Sequence, residues 1–472
     1  MSPLDLQNLL SRRTLERVKW AIFITVPVWF GYGFARNPDN LEWVKRVFPT
    51  AASDPQPHGA RELQTLHDAL AQHELEQRIE HALEELRKKK ERAGNARRPA
   101  RAAGRPGMAP KKRTALVVGG AGFLGQHVVR QLSESGRYDV RVFDIRPAGL
   151  PGVESVVGDI RRPADVAAAV EGVDVVIHVA TATPTSENAL NKTLMDEVNV
   201  AGTANVIAAC RAAGVRALVY TSSASVVFDG RDLMGVDETT PYTTRPMDYY
   251  TQTKVAGEKL ALAANGPDLA VVALRPSGIF GEGDTVMVPT FVRQARAGKM
   301  KYIIGPGTNV WDFTYVGNVA QAHVLAADKL CPGGPLAGQA LFVTNQEPVP
   351  FWAFTGDVLS GLGYPRPSVR LPLALILAVA MIFEYIIRPL LRPIKELSTD
   401  FTVFRVRIVT RQRAFSCARA RDLLGYVPAV SIAEGVSRTC AHFAHLRNPD
   451  APPPAEGAGA GGAGGARRRK AA

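Results

Sequence analysis

Val117-Val118-Gly119-Gly120-Ala121-Gly122-Phe123-Leu124-Gly125 joins an apolar run, ALVVG at 115–119, to an amphipathic one, QHVVRQLSES at 126–135. A strand, a glycine turn and a helix in that order form a dinucleotide cradle. The glycines permit a tight turn and a close backbone approach to a pyrophosphate, and the helix N-terminus then meets that anion with free N–H groups. Gly119, Gly122, Phe123, Leu124 and Gly125 are therefore candidate phosphate-binding positions. Asp144 ends the next apolar run, VRVFD, 25 residues after Gly119. It is placed to accept hydrogen bonds from the adenosine ribose, which favours NAD, and Arg146 leaves NADP open. Asp159 and Ile160, after the run ESVVGD, are placed to meet the adenine.

Further Val-rich runs follow: DVVIHVA (174–180), ALVYTSS (217–223) and VVALRP (271–276). Short buried strands spaced by amphipathic helices predict an α/β fold with a parallel sheet covered on both faces. The expected architecture is a Rossmann-type doubly wound sheet with a smaller C-terminal substrate lobe and an N-terminal helical extension.

The chain has 472 residues, 46% hydrophobic and 21% charged, which supplies a large core and excludes collagen-like or wholly disordered chains. Its net charge of +13 is misleading. Residues 87–113 carry +11 and residues 467–470 carry +4, leaving the rest at −2. The basic charge belongs to a linker and a tail, so no nucleic-acid partner is expected. The four cysteines, Cys210, Cys331, Cys417 and Cys440, lack C-x-x-C spacing, and the histidines lack metal-ligand spacing, so no metal is expected. His178 lies in an apolar run and reads as a packed core residue. The expected organisation is a membrane-associated segment at 1–50, a charged helix and basic linker at 51–113, the folded body at 114–448 and a Pro/Ala/Gly/Arg tail at 449–472.

Tyr250-Thr251-Gln252-Thr253-Lys254 gives Tyr-x-x-x-Lys. On a helix, positions i and i+4 share a face, so phenol and ammonium point into one site. A free phenol has a pKa of about 10, and neighbouring cations bring it toward use as a general base. Ser222 and Ser223, at the end of the ALVYTSS run, supply hydroxyls that can orient a substrate oxygen.

These stretches together resemble an extended short-chain dehydrogenase/reductase of the 3β-hydroxysteroid dehydrogenase family, closest to its sterol-4α-carboxylate 3-dehydrogenase (decarboxylating) branch. The resemblance rests on VVGGAGFLGQHVV, NVAGTANVI, YTSSASVVFDG, DYYTQTKVAGEK, RPSGIFGEGD, WDFTYVGNV, TNQEPVPFWAF and SCARARDLLGYVP, and it covers about residues 114–448. It implies Tyr250 as base, Lys254 as its ribose-binding partner and Ser223 as the substrate-orienting hydroxyl. It also implies Val179 and Ala180 under the cofactor, Asn199 near the ribose and Pro276 beside the nicotinamide. The implied reaction oxidises the 3β-hydroxyl of a 4α-carboxysterol with NAD(P) and releases CO2. Alternatives are a 3β-hydroxysteroid dehydrogenase/isomerase, a sugar-nucleotide epimerase or reductase, and a non-catalytic dinucleotide-binding scaffold in a membrane assembly. Val118 replaces the usual Thr before the first glycine, and Ser277 a frequent His.

A sterol is almost insoluble, so the expected partners include a bilayer, other enzymes of sterol C4 demethylation and a second copy of the chain. Two apolar runs offer membrane contact, Trp20–Ala35 and Leu371–Ile387. The second is expected to lie in the interface, with Glu384 and Arg388 toward headgroups; a full span and an internal core helix are the alternatives. The expected location is an endoplasmic reticulum membrane with a cytosolic active domain; the C-terminal Arg469-Lys470-Ala471-Ala472 loosely resembles a dibasic retrieval signal, although a solvated tail is the preferred reading of it. The first run resembles small single-span mitochondrial assembly proteins, which keeps a mitochondrial membrane open.

Overall fold

The computed structural model describes residues 112–183, 191–387 and 402–452, together with Gln77, His81 and Glu84. The expected membrane segment at 20–35, the basic linker up to residue 111, Arg388 and the tail beyond residue 452 lie outside the described residues.

In chain order, the first half comprises β1 (Arg113–Val118), α1 (Phe123–Glu134), β2 (Tyr138–Asp144), β3 (Glu154–Val157), α2 (Pro163–Ala169), β4 (Val175–His178), α3 (Thr203–Ala213), β5 (Ala217–Thr221), β6 (Leu233–Val236), α4 (Tyr249–Ala263) and β7 (Ala270–Pro276). The second half adds β8 (Ile279–Phe280), α5 (Met287–Arg296), β9 (Tyr302–Ile304), β10 (Val310–Trp311), β11 (Thr314–Tyr315), α6 (Val316–Lys329), β12 (Ala340–Val343), β13 (Val349–Pro350), α7 (Phe351–Gly361), β14 (Val369–Leu371), α8 (Leu373–Ile382), α9 (Val403–Ile408) and β15 (Arg413–Phe415).

Seven strands form one sheet in the order β12-β7-β5-β4-β1-β2-β3. Every pairing in it is parallel. All residues of β5 and β7 are buried, as are the last four of β1, so these strands read as unbroken apolar runs and not as alternating ones. Helix α1 buries Leu124, Val128, Val129 and Leu132, the spacing of one helical stripe. The strand order reverses between β1 and β4, and the glycine turn sits at the end of β1. That crevice is where open α/β sheets hold ligands.

The second lobe is built on a four-stranded sheet, β13-β10-β15-β6, and an aromatic layer. Phe313 stacks on Phe354 with ring centroids 3.7 Å apart, and Trp311 and Phe351 meet at 5.0 Å.

Helix α8 corrects one expectation. Leu373, Ile376, Leu377 and Ala380 form a stripe packed against Val403 and Val406 of α9 and against Ile304. Glu384 does not turn outward to headgroups, because its Oε2 accepts the Val403 N–H at 2.8 Å. The carboxylate thereby satisfies a first-turn amide of α9 that no intrahelical carbonyl can reach. Among the described residues no helix is long and apolar enough to cross a membrane.

Candidate active site

The glycine turn shows why side chains are excluded. Gly119 has φ +88°, and a Cβ there would lie 2.6 Å from the Ala180 backbone; a Cβ at Gly125 would collide with the Gly119 carbonyl. The turn therefore folds directly onto the end of β4. Gly122 stands at the N-cap of α1 and has no side chain to cap it. The first-turn N–H groups are left for an anion, and an anion is also what the helix dipole favours.

A cleft of about 490 Å³ runs from this turn to α4. Gly119, Gly122, Phe123, Leu124, Gly125, Asp144, Asp159, Ile160, Val179, Ala180, Tyr250 and Lys254 all line it. Asp144 does double duty: its Oδ2 accepts the Ala121 N–H at 3.0 Å and its Oδ1 the Arg146 N–H at 3.2 Å. Each carboxylate oxygen keeps acceptor capacity for a ribose hydroxyl. Asp159 is held below the usual carboxylate range, chiefly by hydrogen bonds from the Arg161 side chain. A bare helix end, a side-chain-free turn and two acceptors at the adenosine end fit a dinucleotide.

Helix α4 delivers the other end of the site. Asp248 caps it, accepting the Thr251 N–H at 2.8 Å. Two turns on from Tyr250, buried Glu258 pairs with Arg275 of β7 at 2.6 Å and accepts the Tyr242 hydroxyl at 2.8 Å. This anchor fixes the helix against the sheet. Tyr250 is in hydrogen-bonding contact with the hydroxyls of Ser223 and Thr181. Those two contacts lower its pKa, but burial, the largest influence, and the Asp248 charge push it well above the ordinary phenol value.

Lys254 departs from the expectation that it would hold Tyr250 anionic. Its Nζ donates to the Thr221 carbonyl at 2.7 Å and lies 4.8 Å from the centre of the Tyr220 ring. Burial brings it down to about 7. The lysine therefore loses its charge well before the phenol titrates and offers no cation to the phenolate in this state.

Three of the positions named above are not on the cleft wall. Asn199 lies in a π-helical stretch, Glu197–Gly202. Its Oδ1 accepts from Ala182 N–H at 2.7 Å and Thr181 Oγ1 at 3.0 Å, while its Nδ2 donates to Thr253 Oγ1 and the Ala182 carbonyl. The amide is spent tying the loop after β4 to α4, which leaves nothing for a ribose. Pro276 ends buried β7, paired with Val343. Ser223 hydrogen-bonds Tyr250 but is not part of the cleft lining, whereas Ser222 lines the cleft with a buried Oγ that has no partner among the described residues. Ser277, 2% exposed, also keeps an unpartnered Oγ.

Sequence reasoning missed Thr181. It follows a strand and no motif marks it; its role comes from contact with Tyr250 and Asn199, 69 and 18 positions away. His178 is a core residue as expected. It is 1% exposed, its Nε2 meets Thr203 Oγ1 at 3.1 Å, and burial drops it to about 3, so the ring is neutral.

The 3-beta hydroxysteroid dehydrogenase/isomerase family model matches residues 116–373. The chain belongs to that family. Its relatives in the family include the mouse (Mus musculus) protein named sterol-4-alpha-carboxylate 3-dehydrogenase, decarboxylating. The two are 42% identical over 340 residues, which cover 71% of this chain and 92% of the mouse protein. An Arabidopsis thaliana relative, 3beta-hydroxysteroid-dehydrogenase/decarboxylase isoform 1, is 43% identical over 72% of this chain and 82% of its own. The Saccharomyces cerevisiae sterol-4-alpha-carboxylate 3-dehydrogenase is 37% identical over 69% of this chain and 96% of its own. Among solved structures, gox2253 aligns with a TM-score of 0.57 at 26% identity, covering 71% of this chain and 98% of that one. UDP-glucose 4-epimerase of Thermus thermophilus in complex with NAD aligns at 0.52 and 24% identity, covering 70% and 98%, and shares the fold of the family.

Proposed function

We propose that this family member oxidises the 3β-hydroxyl of a 4α-carboxysterol to the 3-ketone with NAD(P)+, with loss of CO2 from C4, in sterol biosynthesis. The observation that carries the reading is the half-buried Tyr250, beside Ser223 and set one helical turn from Lys254, at the far end of a dinucleotide cleft. Relatives named for this reaction along nearly their whole length select the substrate.

Bound NAD+ supplies the carbon that accepts a hydride from C3 and a positive charge that favours the phenolate. Tyr250 takes the hydroxyl proton, and Ser223 donates a hydrogen bond to the same oxygen. Thr181 holds the phenol in line. Lys254, on the cleft wall one turn after Tyr250, would hold the nicotinamide ribose. The product is a β-keto acid: its C4–carboxyl bond breaks, the electron pair passes into an enolate on the C3 oxygen, and CO2 leaves. The hydroxyls of Tyr250 and Ser223 already face that oxygen and stabilise its charge. The enolate then takes up a proton.

The test is incubation of detergent-purified protein with a 4α-carboxysterol and NAD+ or NADP+. Stoichiometric reduced nucleotide and a product lighter by CO2 are expected. A ketone that keeps its carboxyl, or a shifted ring double bond, would reject the reading.

We also propose that α8 lies in a bilayer interface, at the endoplasmic reticulum with the enzyme body in the cytosol. The support is physical. One stripe of α8 packs on α9, yet the remainder is apolar too. Leu375 is 56% exposed, Met381 45% and Ile382 41%, and Tyr385, in the π-helical turn Phe383–Ile387 that follows, 64%. A helix apolar on every side is suited to contact with lipid on the side the protein does not cover. The double substitution Leu375→Glu/Met381→Glu is expected to cut flotation with neutral liposomes at least about five-fold, without changing the melting temperature by more than about 2 °C. Unchanged flotation would remove α8 as the contact.

A further inference from the structure

Arg413 opens β15 in the second lobe and is 7% exposed. Its guanidinium is held between two aromatic faces, 4.8 Å from the Phe228 ring centre and 4.6 Å from that of Trp311. Its Nε is buried with no acceptor. Among the described residues, no carboxylate forms an ion pair with it and no group accepts a hydrogen bond from its guanidinium. The contrast lies within the same molecule. Arg275 is equally buried, but Glu258 meets it through three hydrogen bonds. A buried charge without a counter-ion is costly, and aromatic faces compensate only part of that cost.

The acids near Arg413 each accept one backbone amide and neither forms an ion pair with it. Asp248, the charge that acts on it, caps α4 through the Thr251 amide. Asp312 accepts the Phe415 N–H at Oδ2, its Oδ1 is buried without a hydrogen-bond partner among the described residues, and burial raises it to about 6, which weakens it as a counter-ion. Arg413 itself is lowered by burial only to about 10, so it stays cationic at neutral pH.

Its position relates it to the chemistry. Phe228 closes the short turn, Ala224–Val227, that begins next to Ser223. Asp248 stands two residues before Tyr250. Trp311 belongs to the aromatic layer of the second lobe. Arg413 thus touches the end of the turn that follows Ser223 and the aromatic layer of the second lobe, and the Asp248 charge that acts on it stands two residues before Tyr250. We propose that Arg413 is the receptor for the C4 carboxylate of the sterol acid and so the residue that selects carboxylated over uncharged 3β-hydroxysterols. A planar guanidinium matches a carboxylate through two parallel hydrogen bonds, and a dry aromatic clamp holds it in that geometry. The proposal rests on the reaction assigned above. Because the β-keto acid loses CO2 through its own ketone, the receptor acts on binding and not on the bond-breaking step.

The test compares full-length wild type, Arg413→Gln and Arg413→Lys in detergent with NAD+. Initial rates are measured on a 4α-carboxysterol and on the matching 3β-hydroxysterol without the carboxyl. For Arg413→Gln, a KM increase of about 100-fold is expected on the acid, with kcat within a few-fold of wild type. On the uncharged sterol its kcat/KM should stay within about three-fold. Arg413→Lys should recover about ten-fold of the loss on the acid, because it restores the charge without the fork. Equal losses on both sterols, or no loss on the acid, would overturn the proposal while leaving the reaction assignment intact. Wild type that oxidises the uncharged sterol and ignores the acid would overturn both.

Discussion

Tyr250→Phe should lower kcat/KM on the 4α-carboxysterol by about 10³- to 10⁴-fold, the upper range for loss of a positioned general base. The substitution removes one oxygen from a half-buried side chain held on helix α4, so the ring keeps its place. The lost contacts, to Ser223 and Thr181, are hydroxyl–hydroxyl bonds, each contributing about 1 kcal/mol. The melting temperature should therefore move by less than about 3 °C. Dinucleotide affinity should change less than about three-fold, since the glycine turn, Asp144 and Asp159 are untouched. Both can be read in one titration of thermal shift against NAD+. A variant that turns over within ten-fold of wild type would remove Tyr250 as the base. A variant that fails to bind NAD+ would show that the phenol supports the cleft rather than the chemistry. A companion variant, Thr181→Val, tests the neighbour that sequence reasoning missed. It should lose about ten-fold in kcat with little change in KM, because it acts through the phenol's orientation.

How much of this was legible beforehand depends on whether a feature is local. The glycine turn, the Val-rich strands and Tyr-x-x-x-Lys are contiguous patterns whose geometry is set by the backbone itself. They give the parallel sheet, and the structure brings the glycine turn, Tyr250 and Lys254 onto the wall of one cleft. Contacts that cross the sequence were not available in this way. Asn199 looked like a ribose ligand, but partners on the loop after β4 and on α4 use up its amide. Glu384 looked like a headgroup contact because α9 begins 19 residues later, and only folding brings the Val403 amide to it. Arg413 carried no motif at all. Its lack of an acid partner is visible only once all neighbouring carboxylates have been placed. The order in which Lys254 and Tyr250 titrate is likewise a property of burial, which spacing does not encode.

That order yields the second large effect, Lys254→Met. The methionine fills most of the same volume without a charge. The activity side is simple: without the amine, ribose positioning is lost, and kcat/KM should fall about 10²- to 10³-fold. Stability should move the other way. Burial has taken Lys254 from 10.5 to about 7, so the folded state disfavours the charged form. Below about pH 7 the lysine is charged in both states and folding bears the full cost of burying it. As pH rises from about 7 toward 10.5, the folded state sheds the proton before the unfolded state does, and the cost diminishes. Wild-type stability from this group is therefore lost as pH falls, and the variant should be more stable by roughly 2 kcal/mol near pH 6.5, with the gain shrinking toward pH 10. The hydrogen bond to the Thr221 carbonyl, which the variant gives up, is already included in that reduced figure. Melting curves of both proteins at pH 6.5, 8 and 9.5 decide the matter. A gap that narrows with pH means the fold tolerates a buried cation for the sake of its cleft, the usual conflict between stability and activity. A gap that is constant, or of opposite sign, would mean that the Thr221 bond outweighs desolvation and that Lys254 is held there by structure alone.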